Sequence, residues 1–194
     1  MKLGLILLLT ILAAPSARAA QIETLTVTRV GARFGMVLDA RLDVPLDDSF
    51  RVLGDFEKLP QINDAVEAVI RLDGAPPGAQ RLYTRVRVCV WLFCAHLEQV
   101  QDIWPVDDGA VRGYNAAVLP ELSNLRFGHA RWRLHDCGGR TCLRFDAQLE
   151  PDFWVPPVIG PWAIERAMRR EAIATALGIE RRAAHLAAAA GTPP

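Results

Sequence analysis

The sequence carries no excess charge, no run of basic residues and only two tyrosines in 194 residues. Lys+Arg and Asp+Glu each number 22 and the isoelectric point lies near 6.9. No region has the positive surface needed to hold a phosphate backbone, so nucleic acid is excluded as a partner. Beyond the N-terminus no apolar run reaches 18 residues, too few for a membrane-spanning helix. Gly-x-Ser-x-Gly, His-Glu-x-x-His, P-loop and dinucleotide glycine patterns are also missing. The four histidines, His96, His129, His135 and His185, are scattered and are expected at the surface. No cofactor and no metal site is implied.

At the N-terminus, Lys2 precedes an apolar stretch from Leu3 to Leu12, followed by Pro15 and the small-residue run Ser16 to Ala20. This is the three-part layout of a secretory signal peptide over residues 1–19, with cleavage expected before Ala20. Losing Lys2 and Arg18 leaves 20 basic against 22 acidic residues, and no cysteine follows the cut as a lipoprotein would need. The expected location is periplasmic or secreted.

Four cysteines form two pairs of equal spacing, Cys89/Cys94 and Cys137/Cys142. Gly138-Gly139 marks a turn between alternating segments, which places Cys137 opposite Cys142 across a hairpin. Reading the first pair the same way makes Val90 to Phe93 a second hairpin tip. Four cysteines permit three connectivities. Export favours disulfides, and Cys-x4-Cys is longer than ordinary zinc-ribbon spacing.

Ile22 to Val30 and Phe34 to Leu42 alternate around Gly31, which predicts a hairpin. Leu46, Phe50, Leu53, Phe56 and Leu59 then recur at helical spacing, split into two short helices by Gly54-Asp55 and Pro60. Alternation returns in six segments: Val66 to Leu72, Leu82 to Val88, Ala95 to Trp104, Ala110 to Val118, Phe127 to Asp136 and Thr141 to Glu150. A Pro-rich aromatic connector, Pro151 to Pro157, leads into a long helix from about Trp162 to Leu186. Residues 187–194 read as a disordered tail. This order defines one α+β domain over residues 20–186, in which the long helix must cover the apolar face of a curved antiparallel sheet. A helix laid across such a sheet can leave an apolar gap.

The stretch from Asp43 to Pro60, with Asp55-Phe56-Glu57-Lys58-Leu59-Pro60 at its end, resembles the START/SRPBCC superfamily. That superfamily is also called Bet-v-like or polyketide-cyclase-like and includes coenzyme-Q-binding START proteins. Glu150-Pro151 and the lead into the terminal helix are similar to the family's closing segment, so the likeness spans residues 21–186. It implies a helix-grip fold: a curved antiparallel sheet wrapped around a long C-terminal helix, with two short helices after the N-terminal strands.

Three functions fit. The leading one is an exported carrier or sensor whose hydrophobic cavity binds a lipid, quinone or similar apolar small molecule, with Trp132, Phe145, Leu149, Met168 and Tyr114 as cavity residues. Those side chains serve equally as plain core. The second is a polyketide cyclase or dehydratase-like enzyme, for which the sequence identifies no catalytic residue. The third is a protein-interaction module. Tyr83, Asn115 and Glu98, like Tyr114, lie mid-strand, where a one-residue slip decides whether each faces the cavity. Trp91, Leu92 and Phe93 form an apolar hairpin tip, which is either buried under the terminal helix or exposed for transient contact with a membrane or a protein partner.

Overall fold

The computed structural model describes residues 20–90, 93–157 and 159–190. The expected signal segment, residues 191–194 and the tip residues Trp91 and Leu92 lie outside the described residues. Strands β1 (Gln21–Val30) and β2 (Arg33–Leu42) form a hairpin around Gly31, whose φ of +62° suits glycine. Helix α1 (Leu46–Gly54) follows Pro45, with Asp47 and Asp48 placed favourably against the positive end of its dipole. A single 3-10 turn (Phe56–Lys58) leads into α2 (Leu59–Ile62), and Pro60 sits in its first turn, where the missing N–H costs nothing. Six strands follow, β3 (Val66–Leu72), β4 (Gln80–Val90), β5 (Phe93–Asp107), β6 (Val111–Val118), β7 (Leu125–Asp136) and β8 (Thr141–Pro151), and then α3 (Gly160–Ala190).

All eight strands form one antiparallel sheet in the order β1-β2-β8-β7-β6-β5-β4-β3. Alternation puts Phe34, Met36, Leu38, Ala40 and Leu42 of β2 on the covered face, each no more than 6% exposed. The helix-grip architecture expected from the sequence is present, with α3 lying on this face. Small residues set the closeness of the fit: Ala172, Ala176 and Ala183 are buried together with Ile179. At Gly178 the helix meets the Ile62 carbonyl of α2 so tightly that a Cβ would collide with it. Asn63 reinforces the joint, its Nδ2 donating to Thr175 Oγ1 at 3.1 Å while its Oδ1 accepts from Ala65 N at 2.9 Å.

The helix is longer than its apolar stripe suggests, starting at Gly160 and running to Ala190. Residues 187–190, expected as part of a disordered tail, are helical, and their composition explains it: four alanines in succession have the highest helix propensity. Both disulfides join the cysteines paired from their spacing, Cys89 to Cys94 and Cys137 to Cys142. The first bridges directly opposed positions of β4 and β5; the second closes the β7–β8 turn, where Gly138 and Gly139 take φ values of +80° and +77°.

Gly178→Ala should reverse the ordinary sign of such a change. Alanine inside a helix normally stabilises by about 1 kcal/mol over glycine. Here the Cβ has to push α2 away from α3, and a net loss of about 1–3 kcal/mol is expected in urea denaturation.

Candidate functional site

Residues directly opposite each other in the register share a face of the sheet. One continuous row of the covered face therefore runs Leu25, Leu38, Phe145, Trp132, Tyr114. On the covered face of β4 and of β8 burial falls in one direction, while on β7 it falls from Leu134 to Trp132 and Ala130 and rises again at Gly128 and Leu125. Leu82 and Thr84 are 0% and 3% exposed, while Val86 and Val88 further along β4 are half-buried. Leu134 and Leu143 are 0% and 2% exposed, whereas Trp132, Ala130, Phe145, Ala147 and Leu149 are half-buried. These residues lie beneath the helix side of the sheet and yet meet solvent, so α3 stands off the sheet towards its own N-terminus. Such a stand-off would leave a wedge under the first turns of the helix.

All five residues expected to line a cavity have defined places on or against this face. Trp132 and Phe145 stack with ring centroids 3.8 Å apart, and Leu149 sits four residues beyond Phe145 towards the open end. Met168 is buried in the N-terminal half of α3. Tyr114 lies at the closed end, packed parallel to Phe50 with centroids 5.2 Å apart and edge-on to Phe56 at 5.0 Å. Its burial raises the phenol pKa above the ordinary 10.0, an effect partly offset by the positive charge of Arg112.

The mid-strand residues with undecided facing separate cleanly. Tyr114 faces the helix, whereas Tyr83, Glu98 and Asn115 occupy the opposite, convex face. There Asn115 Oδ1 accepts from Arg133 at 2.7 Å, and Arg81 makes a two-pronged contact with Asp102 at 2.7 and 2.8 Å. His129 and His135 share the convex face with Arg131 and Arg133. Sequence reasoning missed the neutral polar residues that do face the helix: Gln80 and Thr84 on β4, and Gln99 and Gln101 on β5. The signal was present in the alternation of Gln80, Leu82, Thr84, Val86 and Val88.

The open end has a distinct surface. Among the described residues seven large apolar side chains are exposed, and six of them, Val30, Leu122, Phe153, Trp154, Ile159 and Trp162, belong to the loops and the first helical turn at that end. The disulfide-pinned β4–β5 ribbon also projects there. It is tied to the helix by Arg170, which donates to the Cys89 carbonyl at 2.8 Å. Trp91 and Leu92 lie outside the described residues, so the tip expected to touch a membrane or partner is not placed, but the connector beside α3 supplies an apolar edge of its own. A separate concavity of about 460 Å³ lies between Asn63, Arg87, Arg170 and Arg181.

No protein-family model and no curated protein matches the chain. Solved structures do. The Zhui aromatase/cyclase from Streptomyces sp. R1128 superposes with a TM-score of 0.64 at 17% identity, over 83% of this chain and 99% of that one. Human STARD10 gives 0.59 at 12% identity, over 84% and 74%. A STAR-related lipid transfer protein from Xanthomonas axonopodis gives 0.50 at 16% identity, over 75% and 97%. The chain therefore has a START/SRPBCC-type fold, an architecture shared by an aromatase/cyclase and by a STAR-related lipid transfer protein.

The raised Tyr114 pKa makes a pH-dependent contribution. Unfolded chain loses the phenolic proton near 10.0 while the folded state keeps it, so stability is complete below that pH and declines as pH rises through the interval up to the folded value. Tyr114→Phe should flatten this alkaline decline when wild type and variant are unfolded in urea at pH 8 and 11.

Proposed function

We propose that the protein is an exported carrier or sensor that binds a lipid, quinone or similar apolar small molecule between α3 and the sheet. The observation that carries this reading is the burial gradient. An apolar face under a helix that grows more accessible towards one end supports a cavity with a mouth, whereas a packed core would be closed throughout. The stacked pair Trp132 and Phe145 gives that cavity its largest apolar surface. The likeness to a STAR-related lipid transfer protein supports a hydrophobic ligand. Two disulfides fit an oxidising compartment, in keeping with cleavage before Ala20.

The cyclase reading draws support from the likeness to the Zhui aromatase/cyclase. It needs an acid or base at the ligand. Tyr114 is the ionisable group with a raised pKa on the covered face, and its ring is clasped between Phe50 and Phe56 at the closed end. Binding without chemistry is the better match.

The apolar residues round the mouth suit transient contact with a membrane, since aromatic side chains settle at the lipid–water boundary. Such contact would let a lipid pass from bilayer to wedge without crossing water.

Native mass spectrometry of periplasmically expressed protein, followed by organic extraction, should find a stoichiometric apolar ligand. Phe145→Asp should abolish its retention, and protein that stays empty after incubation with membrane extracts would refute the carrier reading. Replacing Phe153 and Trp154 together by serine should reduce co-sedimentation with phosphatidylethanolamine/phosphatidylglycerol vesicles severalfold and leave the circular dichroism spectrum unchanged.

A further inference from the structure

Glu180 stands in the closely packed half of α3, half-buried between Ile179 and Ala183, which are fully buried. Both of its carboxylate oxygens are taken by backbone nitrogens: Oε1 accepts from Ala20 N at 2.7 Å and Oε2 from Asp43 N at 2.6 Å. No side-chain cation answers its charge among the described residues. Arg41, opposite Gln21, pairs instead with Glu23 at 2.8 Å, and Arg140 pairs with Asp43 at 3.0 Å. One helical turn away in either direction stand Ala176, Leu177, Ala183 and Ala184, so the helix supplies no partner of its own. Two neutral donors satisfy the oxygens and leave the negative charge uncompensated.

The chain can make the missing cation itself. The nitrogen at 2.7 Å belongs to the residue that follows the expected leader, residues 1–19. Hydrolysis of the Ala19–Ala20 peptide bond by a leader peptidase consumes one water and leaves a carboxylate on Ala19 and an ammonium group on Ala20. Ala20 packs against the core beside Ile22, so its nitrogen is already held at the carboxylate when the bond breaks. A neutral hydrogen bond then becomes a charge-assisted one, about twice as strong. Consecutive Cα atoms lie about 3.8 Å apart, so an amine one residue earlier or later falls out of hydrogen-bond range of the same oxygen.

We propose that Glu180 is the binding site for the N-terminal ammonium group created at Ala20, so that cleavage at this one bond completes the closed end of the molecule. The inference rests on the export part of the proposed function and is independent of any ligand. While the leader is attached, Glu180 ties α3 to β1 through a neutral amide; once it is removed, the same contact is an ion pair. Processing thereby fastens the helix to the start of β1 and, through Asp43 N, to the exit of β2.

The test has two arms. Intact mass of the full chain expressed with its leader should show a protein beginning at Ala20; a retained leader would overturn the export reading, and a cut at another bond would overturn this inference alone. In the second arm, chains beginning at Ala20 and at Ala19 are released from an N-terminal fusion in an oxidising host and compared by thermal melting. The Ala20 chain should melt about 2–4 °C higher. Glu180→Gln should lower both melting temperatures and abolish the gap between them. Raising sodium chloride from about 0.01 M to about 1 M should shrink the gap at least about twofold in the unsubstituted protein, a readout that holds even where Glu180→Gln does not fold. Equal melting of the two chains, a gap that survives Glu180→Gln or a gap indifferent to salt would overturn the assignment of Glu180.

Discussion

One helix has to cover eight strands, and it is too narrow to do so. Seven interstrand spacings make the flat sheet about 34 Å wide, while a helix of 31 residues is about 46 Å long and about 10 Å across. The sheet resolves the mismatch by curling, and the helix resolves it by choosing where to touch. Contact is closest in its C-terminal half, where Ala176, Ile179 and Ala183 are fully buried and Gly178 admits the backbone of α2. Alanine and glycine bring backbones together. Nearer the N-terminus Ile164 is only half-buried, and the sheet beneath is correspondingly open. The half-exposed stretch of the sheet is thus the remainder of a packing problem, lying where the first turns of the helix no longer cover it.

The closed end is held by polar ties as well as by packing. Glu180 of α3 accepts from Ala20 N at 2.7 Å and from Asp43 N at 2.6 Å, so a single carboxylate joins the helix to the start of β1 and to the exit of β2. Thr141 does similar work between layers, donating to the Val44 carbonyl at 2.8 Å and meeting Ser49 Oγ at 2.8 Å, with both side chains fully buried. Such satisfied buried groups specify a geometry that apolar contact alone leaves loose. If the chain is cut before Ala20, the nitrogen beside Glu180 becomes an ammonium group, and a neutral hydrogen bond becomes a charge-assisted one. Maturation would then tighten the end opposite the mouth.

Much of the architecture was legible in the sequence because its signals are local. Alternation marked every strand, Gly138-Gly139 marked a turn, and equal cysteine spacing identified the two disulfides. The facing of Tyr83, Glu98 and Asn115 was not legible, since a period of two turns a one-residue uncertainty into a change of face. Only the pairing of β4 with β5, and of β6 with β7, resolves it. Glu180 escaped notice for a different reason. Glutamate is an ordinary helix residue, and its carboxylate acquires meaning only when three dimensions bring Ala20 N and Asp43 N against it. The apolar rim was likewise invisible, because its members come from three separate connections that meet only after folding.

The two faces of the sheet divide the labour between solubility and recognition. On the convex side charges are closely paired: Arg144 meets Asp39 and Asp146, Arg85 and Arg87 meet Glu67, and Arg41 meets Glu23. Exposed pairs of this kind contribute little stability each, typically about 0–1 kcal/mol. Their physical effect is to keep one face wetted and in register, so that the sheet can curl with its apolar side inward. The concave side is mainly apolar and keeps its charges, Arg29, Arg71 and Arg112, at its edges. A face of that composition holds many greasy molecules about equally well, because dispersion and burial do not distinguish a methyl from a hydroxyl of similar size.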